Sequence, residues 1–352
     1  MRERLLRDSL FLVLLLLFGS GRAAASNYWT YHRLINEADS LFFVENRARD
    51  ALKLYDQVGE KYDFVFAKDL FTALQIAGYC RDTQRFYRYL VNGFQNGLTP
   101  AHLAVSPILV KNGMLRDTGR IIGLFNANRS VYLKRINQPY LSAVYQLFAE
   151  DEVNKQMERA AYNQTLQKNM ARLITLIDKW GFPSDQTIGI DDSAKRVDGR
   201  TLQQHYRQAC KDLYRSYVPE IGRVDNNSLA GTTAIVFLVH HPCSYYLLGT
   251  RIQREIERGN LHPRDAALLY DNIVRIYEPA SAKTFGCGKP PTDYFKLMRP
   301  FRDYPTDWRK DREQIDSLRR TLAISSVRTD SIRKAKMAAM DFYSGFGFWS
   351  CR

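Results

Sequence analysis

The chain carries only five cysteines and no CxxC pair among them. That removes both a thioredoxin-like centre and a zinc knuckle. No two histidines stand four residues apart, so the helical pair that best holds a metal is missing. GxSxG, HExxH and the phosphate-binding loop are absent as well. Phe285-Gly286-Cys287-Gly288-Lys289 sets glycines beside a lysine but lacks the loop's spacing and its Ser/Thr, and reads as a turn. Asp191, Asp192 and Asp198 do not alternate as calcium ligands must, and read as a solvated loop. No cofactor and no metal is therefore expected. After the N-terminus, no apolar run is long enough to span a membrane.

What is present begins with a leader. Arg2, Arg4 and Arg7 precede the apolar stretch Leu10–Phe18, and Gly21 to Ala25 supply small residues for cleavage. The pattern reads as a secretory signal over 1–25, cut after Ala25. The mature chain is expected to be periplasmic or secreted. Its 45% hydrophobic and 12% aromatic residues suffice for packed cores and argue against disorder. A net charge of +14 suits contact with an acidic partner. It also suits peripheral contact with anionic membrane or polysaccharide. Export argues against nucleic acid. Five is an odd number of cysteines, so at least one thiol is free or pairs between chains. Cys243 lies in the most apolar internal stretch, Ala234–Leu248, and with Cys287 is the first disulfide pair to test. Burial of all the cysteines as small hydrophobes is the alternative.

Helical periodicity dominates the order of the chain. Tyr31, Leu34, Ile35, Ala38 and Leu41 share one face, as do Ala51, Leu54, Tyr55, Val58 and Tyr62. Phe66, Leu70, Leu74 and Ala77 make a third face, and Phe86, Leu90, Val91 and Phe94 a fourth. Breaks fall at Asp63, at Gly78 to Asp82 and at Asn96-Gly97. Segment Ala67–Gly97 resembles the tetratricopeptide repeat, with small Ala73 and Ala77, Gly78 before a turn, and Phe86, Leu90 and Phe94 on the returning helix. The resemblance implies a stack over 26–128 that docks a protein or peptide and has no chemistry of its own. Residues 129–169 read as a connecting helix, and 300–352 as a basic helical tail. Residues 296–336 alone hold twelve basic and six acidic residues.

Residues 170–299 read as a second helical domain. A helix stops at Trp180-Gly181-Phe182-Pro183, and another stops at Gly259. A further helix opens at His262-Pro263 and carries Ala267-Leu268-Leu269-Tyr270-Asp271-Asn272. With His240-His241-Pro242 and Phe285-Gly286-Cys287, this order resembles a bacterial domain family of unknown function. Asn272 stands where arginine is usual, and Cys287 where threonine is usual. The resemblance implies a helical fold and singles out His241 and Asp271.

Adjacent histidines on a helix point about 100° apart, so His240 and His241 do not share a metal there. One of them reads as a hydrogen-bonded core or cap residue. The sharper expectation pairs His241 with Asp271, a carboxylate that would fix the imidazole tautomer. Trp180 and Tyr245 complete the candidate ligand-binding set. The fold expected is mostly α, a tetratricopeptide-like hairpin stack followed by an α-helical domain. The function expected is a non-enzymatic protein-interaction or ligand-binding module of a bacterial envelope. Its partner would be a protein or peptide held by the N-terminal stack. A hydrolase-like enzyme using His241 and Asp271 is the alternative.

Overall fold

Side chains that cap helix ends set the element boundaries. The computed structural model describes residues 27–155, 157–190, 199–200, 204, 207–208, 211–212, 238–276, 283–287 and 312–343. Expectations for the leader, for Asp191, Asp192 and Asp198, for residues 213–217 and 234–237, and for Cys210, Cys351 and the stretches 288–311 and 344–352 lie outside these.

The Asn27 side chain accepts the Trp29 N–H and starts α1 (Tyr28–Asp39), which runs on through a π-helical turn, Ser40–Val44. Then come α2 (Ala48–Lys61), α3 (Ala67–Tyr79) and α4 (Thr83–Gln95), the last capped by Asp82. Their ends coincide with the polar and glycine breaks in the sequence. Two one-turn helices follow, α5 (Pro100–Ala104) and α6 (Pro107–Lys111), and then α7 (Thr118–Arg135). Consecutive helices pack as neighbours, α1 on α2, α3 on α4, and α4 on α7.

The segment 129–169 is not one connecting helix. α7 ends at Arg135, and Asn137 caps α8 (Gln138–Asn154), with Pro139 in its first turn. A second break at 155–158 precedes α9 (Arg159–Trp180), which crosses residue 170 without interruption. Tyr140, Leu141, Val144, Tyr145 and Phe148 of α8 join a first core built by α1 to α7, while Leu147 joins a second. α8 thus serves both cores.

The second core collects Leu166, Met170, Leu173 and Ile177 of α9 with Leu238, α10 (Ser244–Leu248), α11 (Arg251–Glu257) and α12 (Pro263–Ile276). Two glycines fit where no side chain would. A Cβ on Gly181, at φ +83°, would lie 2.4 Å from Asn260 Nδ2, and one on Gly259, at φ +75°, would lie 2.6 Å from the Tyr28 ring. The stops read from Gly181 and Gly259 are also the places where α9 meets α11 and where α11 meets α1.

The tail does not stand apart. α13 (Arg312–Thr321) leads into α14 (Val327–Ala339), which packs on the π-helical turn after α1. Phe342 stacks on Phe42 at 5.6 Å and meets Phe43 edge-on at 5.8 Å. The buried amide of Gln75 donates to Tyr343 O at 3.2 Å and accepts the Tyr343 N–H at 2.6 Å. Leu322 and Ile324, between the two helices, enter the second core. The segment expected as a basic helical tail thus reaches both cores. The fold is all-α, with no strand among the described residues.

Candidate functional site

Leu238 to His240 are helical, His241-Pro242-Cys243 ends the helix, and α10 follows. Cys243 and Cys287 are joined by a disulfide, with Cα atoms 5.8 Å apart across 44 residues. Cys80 is a free, exposed thiol.

His241 is buried under the ring of Phe285, centroids 4.7 Å apart. Its Nδ1 accepts the Cys243 N–H at 3.1 Å, so the ring proton sits on Nε2, which is sealed from solvent without a partner. Burial holds its pKa down at about 4, and the ring is neutral at physiological pH. The expected hydrogen bond from His241 to Asp271 is not formed. The imidazole is consumed in closing its own turn. Asp271 is fully buried on α12, and its charge acts on Tyr245 and on Arg319 of α13 instead.

The carboxylate partner belongs to the other histidine. His240 Nδ1 lies 2.6 Å from Asp151 Oδ2, and the Tyr162 hydroxyl donates to Asp151 Oδ1 at 3.0 Å. Asp151 comes from α8 and Tyr162 from α9. The helix ends between the two, so His240 faces that pair while His241, in the turn that follows, faces Phe285. No spacing signal could reveal this, because Asp151 lies 89 residues upstream. The other expected ligand residues are not gathered. Trp180 stacks near Tyr140 at 5.0 Å against the first core, and Tyr245 meets Tyr270 at 4.7 Å in the second.

A larger polar constellation lies where α1, α3, α12, α13 and α14 meet. Tyr31 donates to Asp69 at 2.7 Å, and Tyr55 donates to Asp39 at 2.7 Å. Arg333 of α14 reaches Asp39 at 2.6 Å. Arg264 of α12 grips Asp330 of α14 with both guanidinium nitrogens, at 2.9 and 2.6 Å. Arg319, itself 2% exposed, adds a third bond to Asp330 at 2.9 Å. Lys68 pairs with Asp265 at 3.0 Å. Burial works against the Asp330 charge, but Arg264, Arg333 and Arg319 outweigh it and hold the carboxyl far below the usual range. Burial raises Asp39, and Arg333 offsets this only in part.

Two histidines sit inside this joint. His262 Nδ1 accepts the Arg264 N–H at 3.2 Å, and its Nε2 lies 3.8 Å from Asp69 Oδ2. The His32 ring stands edge-on to it at 5.1 Å, and His32 Nε2 has no partner. Burial keeps both rings neutral, His32 with help from His262 and His262 with help from Lys68.

Chemically, these groups satisfy one another. Asp39, Asp69, Asp265 and Asp330 are answered by Lys68, Arg264, Arg319, Arg333 and two tyrosine hydroxyls. Among the described residues no group of three or more His, Cys, Asp or Glu is placed to hold a metal ion. The sequence did not disclose the joint, since its members are spread from residue 31 to residue 333. Compared with family models, with curated proteins and with solved structures, the chain finds no match to any family model, curated protein or solved structure.

Proposed function

We propose that the chain is a non-enzymatic docking module of an exported protein, and that it takes an acidic amphipathic helix of a partner protein on α7. The observation that carries this reading is an exposed apolar face of α7. Ile122 and Leu133, three turns apart on the same side of the helix, are 46% and 41% exposed. Isolated exposed apolar residues are ordinary, but these two share one helix face. Gly119 and Gly123 lie on either side of Ile122 in the sequence, and a Cβ on either would meet nothing within 4 Å. A partner helix can approach such a surface closely.

The rim selects the partner's charge. Lys111, Arg116, Arg120, Lys134 and Arg135 lie along this stretch, against Asp117 and, from the tail, Asp341, which pairs with Lys111 at 2.9 Å. A second copy of this chain would bring the same positive field and be repelled, whereas an acidic helix is attracted. The Cys243–Cys287 disulfide supports an oxidising compartment, in line with the leader over 1–25. The hydrolase-like alternative draws no support from His241, whose Nδ1 is taken by the Cys243 amide and whose ring is buried. A base needs a reachable nitrogen.

Fluorescence anisotropy with a synthetic acidic amphipathic helix tests the reading. Binding is expected, weakening as salt rises and falling at least ~10-fold in Ile122→Asp/Leu133→Asp. Binding that survives those substitutions, or that a basic peptide reproduces, overturns it. So does binding to anionic vesicles alone.

A further inference from the structure

We infer that the joint around His32 and His262 is an acid-released clasp: protonation of the two rings separates α12 and α14 from α1 and α3. The geometry carries the inference. α12 supplies His262 and α1 supplies His32, so the two rings touch across the boundary between the elements that must part. Neither ring has a full carboxylate hydrogen bond ready to receive a new charge. His32 Nε2 faces no partner at all. Among the described residues, the carboxylate within ion-pair range of His262 Nε2 is Asp69 at 3.8 Å, and it is already engaged by the Tyr31 hydroxyl.

The surrounding charges decide the sign. Acting on the rings are Tyr31 from α1 and Lys68 and Asp69 from α3. From the other side come Arg264 and Asp265 of α12 and Arg333 of α14. Asp39, Tyr55, Arg319 and Asp330 stand behind these as partners of Arg333, Arg264 and one another. Each carboxylate in this set already has a cation or a hydroxyl. Two added positive charges would therefore stand against Lys68, Arg264 and Arg333 without an anion of their own. A proton on His32 also opposes one on His262, because the rings are in contact. Opening to water relieves both. The open form uncovers Phe66, which packs under both rings, and the Tyr28 ring over Gly259.

The device is distinct from acid unfolding of the whole chain. α4 and α7 hold no member of the joint, and their packing on each other stays intact while the clasp opens.

Hydrogen exchange at the amides of Val327–Ala339, corrected for intrinsic rates, is the test on the intact chain. Below about pH 6.5 two protons enter on opening, so the opening constant is expected to rise by up to about 100-fold per pH unit. Amides of α4 and α7 keep their protection. His262→Asn retains an acceptor for the Arg264 N–H and is expected to reduce the slope to about 10-fold per unit. His32→Phe does the same, and the double variant flattens the profile. Should the double variant fail to fold, the C2 proton shifts of His32 and His262 in the native chain replace it, and both are expected to titrate together with opening. A flat exchange profile from pH 7.5 to 5 overturns the inference. So does opening at the same pH in the double variant, or titration of either ring without loss of α14 protection.

Discussion

The imidazole of His240 lies 2.6 Å from the buried carboxylate of Asp151, and the two come from chain segments that meet only in the folded protein. Tyr162 closes the second oxygen of that carboxylate. Removing the imidazole leaves a sealed anion with one hydroxyl. His240→Ala is expected to cost about 2–3 kcal/mol in urea unfolding. Asp151→Asn, which keeps the shape and removes the charge, should cost less. Equal stability of His240→Ala and the parent would show that water serves Asp151 as well.

Stability should fall on the acid side of neutrality. His32, His262 and His241 all have folded-state pKa values lowered by burial, His241 to about 4. The unfolded chain therefore binds more protons below about pH 6.5, and stability that is complete above that pH is lost as pH falls. Each ring contributes a slope of up to about 1.4 kcal/mol per pH unit. Asp330 is lowered, so its contribution is lost only below the ordinary carboxylate range. Asp39 is raised and works in the opposite sense. Unfolding free energies measured from pH 7.5 to 4.5 check the sum. A level profile contradicts the neutral burial of the three rings.

Reduction should loosen a defined loop. The Cys243–Cys287 bond closes 44 residues that include α10, α11 and α12. Its loss is expected to cost about 2–4 kcal/mol. Alkylation followed by mass measurement should modify Cys80 without a reductant, and Cys243 and Cys287 only with one. An unchanged melting curve after verified reduction would mean that the second core holds this loop unaided.

The element boundaries were open to sequence reading because caps and glycines act locally. Asn96-Gly97, Gly181, Gly259 and His262-Pro263 each mark the turn where the chain does turn. The pairing of charges was not open to it. His241 drew attention through its neighbours in sequence, yet its nitrogen is spent on the Cys243 amide two residues on. Asp151 gave no sign, because it sits in a stretch that reads as an ordinary charged helix. The contacts of the tail were hidden for the same reason. Arg319 and Arg333 count as surface charge by composition, and only their contacts with Asp330 and Asp39 place them inside the joint.

That return of the tail has an energetic signature. Arg333 and Asp39 are 294 residues apart and meet at 2.6 Å. A double-mutant cycle with Arg333→Ala and Asp39→Ala should give a coupling of about 1–3 kcal/mol. Additive effects would mean that the Arg333–Asp39 pair does not help to hold α14 on α1.

The docking reading meets its most direct test in a hydrogen-exchange footprint of the acidic amphipathic peptide on the intact chain. The account predicts new protection over 107–135, with the amides of 238–248 unchanged. Protection centred on His240 and His241, with α7 exchanging as before, would contradict it.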